Sequence, residues 1–185
     1  DDQIGAATKL PPLVVRYAGD EDLPAHAEEA IRTTHDHDAA VAYGLAAARM
    51  LEALLQGRLR QEALAAAGRG APEDLNDALV DASELAIQDP VTAAGELGRA
   101  CALPESLPAA VQATLHAENF VDGIRETILA GGDSAGRGML VGAFLGASLG
   151  PGAIPEEWLD RLTERARIES LVRRLLEQAA LAERA

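Results

Sequence analysis

Between Asp38 and Gln56 the apolar residues Val41, Leu45, Ala48, Leu51, Leu54 and Leu55 recur at steps of three and four, while Arg49, Glu52 and Gln56 fall off that stripe. This is the period of an α-helix with one buried face, and Gly57 supplies its stop. The rhythm returns at Leu75, Leu79, Ala82, Leu85 and Ala86, and again at Val121, Ile124, Thr127 and Ile128. No stretch shows a two-residue alternation of comparable strength, and neither a fixed-period repeat nor a low-complexity linker interrupts the chain. Aromatic residues make up only 3% of the sequence and Ala and Leu dominate, so the core is built of small and aliphatic side chains that suit closely spaced helices. The expected fold class is all-α, and 185 residues are enough for one core.

Local signals divide the rest. Leu13 to Tyr17 predicts a short helix after Pro11-Pro12, Pro24 is compatible with the first turn of a helix through Glu28, Ala30 and Ile31, and Thr33-Thr34 offers a cap for the long helix. Arg60 to Ala67 is helical by propensity and ends in a loop at Gly68 to Pro72. Asp89-Pro90 starts another helix, and Cys101 to Pro108 reads as a proline-punctuated connection into a helix around Val111, Leu115 and His116. Asn119 caps the next helix, which Gly131-Gly132 stops. Asp133 then stands at a helix start, ahead of a nearly all-apolar helix from about Ala135 to Leu149 that is expected to be central. Its Gly138, Gly142 and Gly146 share one face, where another helix could approach closely. Trp158, Leu159 and Leu162 predict a short docked helix, and Ile168, Leu171, Leu175 and Leu176 a terminal one.

Charge narrows the function. Thirty acids against sixteen Lys and Arg give a net charge of −14, which repels nucleic-acid phosphates and anionic lipid at long range. The longest apolar run, Met139 to Leu149, falls well short of the ~20 residues that span a bilayer. Nothing near Asp1 resembles a signal peptide. The single cysteine, Cys101, forms no intrachain disulfide and is expected to be packed in the structure. These features predict a soluble, cytoplasmic protein with no nucleic-acid or membrane partner.

The segment richest in chemistry is Gly131-Gly132-Asp133-Ser134-Ala135-Gly136-Arg137. Two glycines give the backbone freedom just before an acid at a helix start, so the turn can present a carboxylate and backbone groups to one ligand; equally, Asp133 can simply cap a buried helix. His35, Asp36, His37 and Asp38 are rich in metal-ligand types, but alternate residues at a helix start point apart and no histidine pair has helical spacing. A zinc site is therefore not expected.

Gly131-Gly132-Asp133, followed by the small-residue helix from Gly138 to Ala147 and then Gly150, Ile154-Pro155 and Trp158, resembles the end of an ADP-ribosylglycohydrolase. Thr34-His35 before Ala39 and Ala40 is similar to that family's Thr-His helix start, and Gly5 to Lys9 ahead of Pro12-Leu13 is similar to its glycine-rich ligand loop. The resemblance implies an orthogonal bundle of many helices, of which residues 1–185 form the C-terminal portion of one domain with the early, acid-bearing part absent. It implies hydrolysis or binding of ADP-ribose-type glycosidic conjugates, with an ADP-ribose-like small molecule or an ADP-ribosylated protein as partner and two Mg²⁺ ions as cofactors. On that reading Asp133 is the catalytic and metal-binding acid, and Gly5, Lys9, His35, Gly131, Gly132, Ser134 and Arg137 contact the ligand.

The family's late motif, Gly-Gly-Asp-Thr-Asp-Thr, has Ala135 and Gly136 here at its second acid and final hydroxyl. The usual two-metal ligand set is thus incomplete, and octahedral Mg²⁺ is not held by Asp133 alone. Activity with altered metal dependence and an inactive, crystallin-like binding or structural role both remain open. Arg137 either neighbours the place of the metal charge or points outward. His35 either contacts the ligand or serves as a local cap. The apolar helix around Leu140 and Phe144 predicts an exposed patch, and with it a homo-oligomer or a complementary half.

Overall fold

The computed structural model describes residues 1–182, with twelve α-helices and two short 3₁₀ turns among them. They are α1 (Gly5–Thr8), α2 (Pro11–Tyr17), α3 (Leu23–Arg32), α4 (Asp38–Leu55), α5 (Arg60–Ala67), α6 (Glu73–Glu84), α7 (Pro90–Leu97), α8 (Leu103–His116), α9 (Phe120–Leu129), α10 (Ser134–Leu149), α11 (Glu156–Asp160) and α12 (Arg165–Ala182). The described residues form no sheet; Gln3 and Ala102 make one isolated antiparallel bridge.

The periodic stripe of α4 becomes the centre of the molecule. Its buried residues run from Ala40 to Leu54, and it packs against α1, α2, α3, α5, α8 and α10. Small residues make these contacts close. A Cβ on Gly44 would lie 2.6 Å from Ile31 Cδ1, and one on Gly123 of α9 would lie 2.4 Å from Leu145 Cδ1 of α10. The glycines that bring helices together are therefore Gly44 and Gly123. Along α10, a Cβ on Gly138 or Gly146 would meet nothing within 4 Å, and one on Gly142 would only touch Ile124. The expected close approach at that face is absent among the described residues.

Helix α10 is packed on one side against α1, α4, α8 and α9. Leu140 and Phe144 are sealed in the core, so the predicted patch does not form around them. The opposite side is open, with Met139 56% exposed. In α12, which packs chiefly on α2, Ile168, Leu171, Val172 and Leu176 are exposed. Leu162 lies beyond the end of α11 and is also exposed, while Trp158 tilts against Phe120 with ring centroids 6.1 Å apart.

Three local expectations are corrected. Cys101 to Pro108 is mostly helix: α8 begins at Leu103, places Pro104 in its first turn and carries Pro108 inside. Burying Leu103, Leu107, Ala110 and Val111 outweighs the one backbone hydrogen bond that Pro108 cannot make. Thr33 and Thr34 do not cap α4: Thr33 Oγ1 donates back to the Glu29 carbonyl, and α4 starts after an extended His37 with no side-chain cap. Cys101 is exposed rather than packed.

Candidate functional site at the glycine turn

Gly131 and Gly132 both have positive φ, +73° and +66°, a conformation that disfavours any side chain with a Cβ. They bring Asp133 to the start of α10, where its Oδ1 accepts the Gly136 amide at 2.9 Å. Gly132 lies against Arg99, and a Cβ on it would be 2.2 Å from the Arg99 carbonyl oxygen. That same oxygen accepts the Asp133 amide at 3.2 Å. Two further bonds tie the segment to the chain start, from the Ile4 amide to the Cys101 carbonyl and from the Leu103 amide to the Asp2 carbonyl, both 2.8 Å. Residues 99–103 are thus a strap fastening the first residues to the glycine turn.

The first residues carry the second cluster. Gly5 to Thr8, expected as a loop, is the single helical turn α1. Ile4 packs against Gly136, where an added Cβ would lie 2.5 Å from Ile4 Cγ2. The His35 ring lies over Gly5, with Cε1 3.5 Å from where a Cβ would be. Lys9 Nζ donates to Thr34 Oγ1, and that hydroxyl is 2.8 Å from His35 Nδ1. With the ammonium donating to Oγ1, the Thr34 proton is free to point at Nδ1, which leaves the His35 proton on Nε2, facing Asp1 Oδ1 at 3.4 Å. Burial, and then the charge of Lys9, lower the His35 pKa, which favours the neutral imidazole; burial also lowers that of Lys9.

The structure therefore brings Gly5, Lys9 and His35 into one cluster, and Gly131, Gly132, Asp133, Ser134 and Arg137 into an adjoining one, joined through Ile4 and Gly136. Ser134 Oγ is directed to the Ile128 carbonyl at 3.3 Å. The neighbouring acids Asp36 and Asp38 are drawn away, both pairing with Arg32. A cleft of about 420 Å³ at the other end of α4, lined in part by Arg49, Glu52 and Arg69, holds none of these residues.

Arg137 points inward. It is 1% exposed, and its Nε and Nη2 are buried without a hydrogen-bond partner. Burial lowers its pKa; the nearby Asp133 charge opposes that shift and Arg99 adds to it. Sequence held a signal for this orientation, because Arg137 lies one turn before Val141 and two before Phe144 on the buried stripe. Thr34 was noticed as a helix cap and as part of the Thr-His pair, not as the link between Lys9 and His35, and Arg99 was missed. A backbone carbonyl acts the same whatever residue carries it, so nothing in the sequence marks Arg99.

These residues do not fit a pair of magnesium ions. Asp133 already spends one oxygen on its helix cap, Ala135 and Gly136 offer no side-chain oxygen, and a buried guanidinium places positive charge beside the carboxylate. Among the described residues no group of three or more His, Cys, Asp or Glu is gathered as a metal site. No described helix is long and apolar enough to cross a membrane.

Known proteins are similar to this chain in sequence, and a solved structure is similar to it in fold. Crystallin J1A of Tripedalia cystophora is 31% identical over 158 residues, covering 82% of this chain and 48% of its own length. An uncharacterized protein of Archaeoglobus fulgidus is 28% identical over 181 residues, 95% of this chain and 58% of its own. A solved structure described as an ADP-ribosylglycohydrolase-related protein complex superposes with a TM-score of 0.81 at 28% identity, over 96% of this chain and 61% of that one. The chain spans about half the length of the curated relatives it matches. The ADP-ribosylglycohydrolase profile matches residues 1–185, and the chain belongs to the ADP-ribosylglycohydrolase family.

Proposed function

We propose that the chain carries part of a binding site for ADP-ribose-type compounds, within a larger helical domain of which it forms the C-terminal portion. The observation that carries this reading is the junction of two motifs distant in sequence: the Gly5, Lys9, Thr34 and His35 cluster abuts the Asp133 turn through Ile4 and Gly136. In this reading Gly5 lets the ligand approach the backbone, Lys9 attracts a phosphoryl group, and His35 donates from Nε2 to a ligand oxygen. Asp133 is the acid nearest the reacting bond, and Gly131, Gly132 and Ser134 shape the turn around it. Hydrolysis of an N- or O-glycosidic bond then proceeds with a metal dependence unlike that of relatives holding the full acid set.

A second reading is favoured by the missing ligands at Ala135 and Gly136 and by the likeness to crystallin J1A: a catalytically inactive relative with a binding or structural role. Calorimetry with ADP-ribose, combined with an assay for ADP-ribose release from an ADP-ribosylated protein, separates the two. Binding with release supports the hydrolase, and binding without release supports an inactive binder. The absence of both defeats the ligand-site reading for this chain and leaves the structural role.

A further inference from the structure

We propose that the start of α10 is an anion site, with Arg137 supplying the positive charge and a phosphoryl group as its ligand. This rests on the reading that the turn faces the ligand, and it reverses the polarity of the site: an oxyanion is bound where full-motif relatives use cations.

The central observation is an arginine that is almost wholly buried and has two sealed, unpaired donors. A buried charge without a partner is among the costliest groups a protein can carry. The unpaired atoms are Nε and Nη2, which form one edge of the guanidinium fork, the edge that takes an oxyanion through two parallel hydrogen bonds. Asp133 is near enough to raise the Arg137 pKa but makes no ion pair with it, and its Oδ1 accepts the Gly136 amide.

Helix geometry directs the side chain toward the turn. Long side chains in a helix lean toward its N-terminus, and Arg137 stands in the second turn of the 16-residue α10, with Asp133 and Arg99 as its charged neighbours. Two positive contributions therefore meet there, Arg137 and the N-terminal end of the helix dipole, while the Arg99 guanidinium lies farther out, exposed and donating to the Val91 carbonyl. Against them stands the single carboxylate of Asp133. The surplus suits a multiply charged phosphoryl group better than a singly charged carboxylate. Because Nε and Nη2 are sealed, binding requires the Arg137 side chain to move toward the turn to meet the oxyanion.

The test titrates the protein in EDTA with inorganic pyrophosphate, following the thermal midpoint and the heat of binding, with acetate and Mg²⁺ alone as parallel arms. Saturable stabilisation by pyrophosphate is expected, with little from acetate and none from Mg²⁺. Arg137→Gln should weaken pyrophosphate by at least ~10-fold, the value of a charged bidentate contact, and Arg137→Lys should recover only part of it. Arg137→Met, lacking the orphaned charge, should unfold no more easily than the parent without ligand, which separates lost binding from lost folding. If Arg137→Gln does not fold, the Arg137 Nε resonance in the parent must still shift on adding pyrophosphate. Unchanged affinity in Arg137→Gln, an unmoved resonance, equal stabilisation by acetate, or stabilisation by Mg²⁺ in its place overturns the proposal. ADP-ribose binding that ignores Arg137→Gln overturns it while sparing the proposed function; pyrophosphate binding through Arg137 without ADP-ribose binding does the reverse.

Discussion

Replacing Gly132 with alanine tests how the turn is built, because Gly131 beside it is a matched control. Both have positive φ, so an alanine at either suffers left-handed strain of about 1 kcal/mol. At Gly131 nothing lies within 4 Å of the added Cβ, and the cost ends there. At Gly132 the Cβ falls 2.2 Å from the Arg99 carbonyl oxygen and 2.7 Å from Arg99 Cβ. The first of these is backbone, and it also accepts the Asp133 amide, so it cannot rotate away. Moving it adds an overpacking cost of about 1–3 kcal/mol. Gly132→Ala should therefore lose roughly 2–4 kcal/mol and Gly131→Ala about 1 kcal/mol, measured as shifted urea midpoints with the slope unchanged. Equal losses, within about 0.5 kcal/mol, would show that the 99–103 strap does not press on the turn.

Gly123→Ala should destabilise by about 1–3 kcal/mol, since its Cβ would lie 2.4 Å from Leu145 Cδ1 and 2.9 Å from Ala117 Cβ; a midpoint equal to the parent's contradicts the close contact of α9 with α10. The Asp89 carboxyl is held below its ordinary pKa first by the Thr92 hydroxyl and amide, then by the Val91 amide. Its stabilising effect is thus present above the unfolded value and lost as pH falls through the folded one. Asp89→Asn keeps an acceptor for the cap and should show a smaller loss of stability between neutral and acid pH than the parent, read from thermal midpoints across that range. For His35, whose pKa is lowered by burial and then by Lys9, the contribution is full above its unfolded value of about 6.5 and falls away as pH drops below that. His35→Gln should flatten that part of the pH–stability curve, and an unchanged slope would count against a buried neutral imidazole.

The helices legible in the sequence were those whose information is local. The stripe of α4 is complete in its own residues, and Asn119, Asp89 and Asp133 each announce a helix start; all three accept amides of their own first turn. The start of α8 was not legible, because Pro108 argues locally against a helix that burial in the finished core sustains, although Pro104 by itself suits a first turn. Cys101 misled for the opposite reason: cysteine favours burial, but this one sits in a strap whose backbone does the binding while its side chain faces out. The small residues of α10 correctly suggested close packing somewhere, yet the contact is made at Gly123 on the partner helix, which periodicity does not single out. Of the candidate site, the membership of each cluster was readable from motif resemblance. Its joining was not, since it depends on Ile4, Gly136 and the Arg99 carbonyl meeting across nearly the whole chain.

The most direct test of the central claim, a ligand turn that works without the usual magnesium pair, is the affinity of this chain for ADP-ribose by calorimetry in EDTA and again with Mg²⁺ in excess. The account predicts the same dissociation constant in both. Binding that appears only when Mg²⁺ is supplied would contradict it.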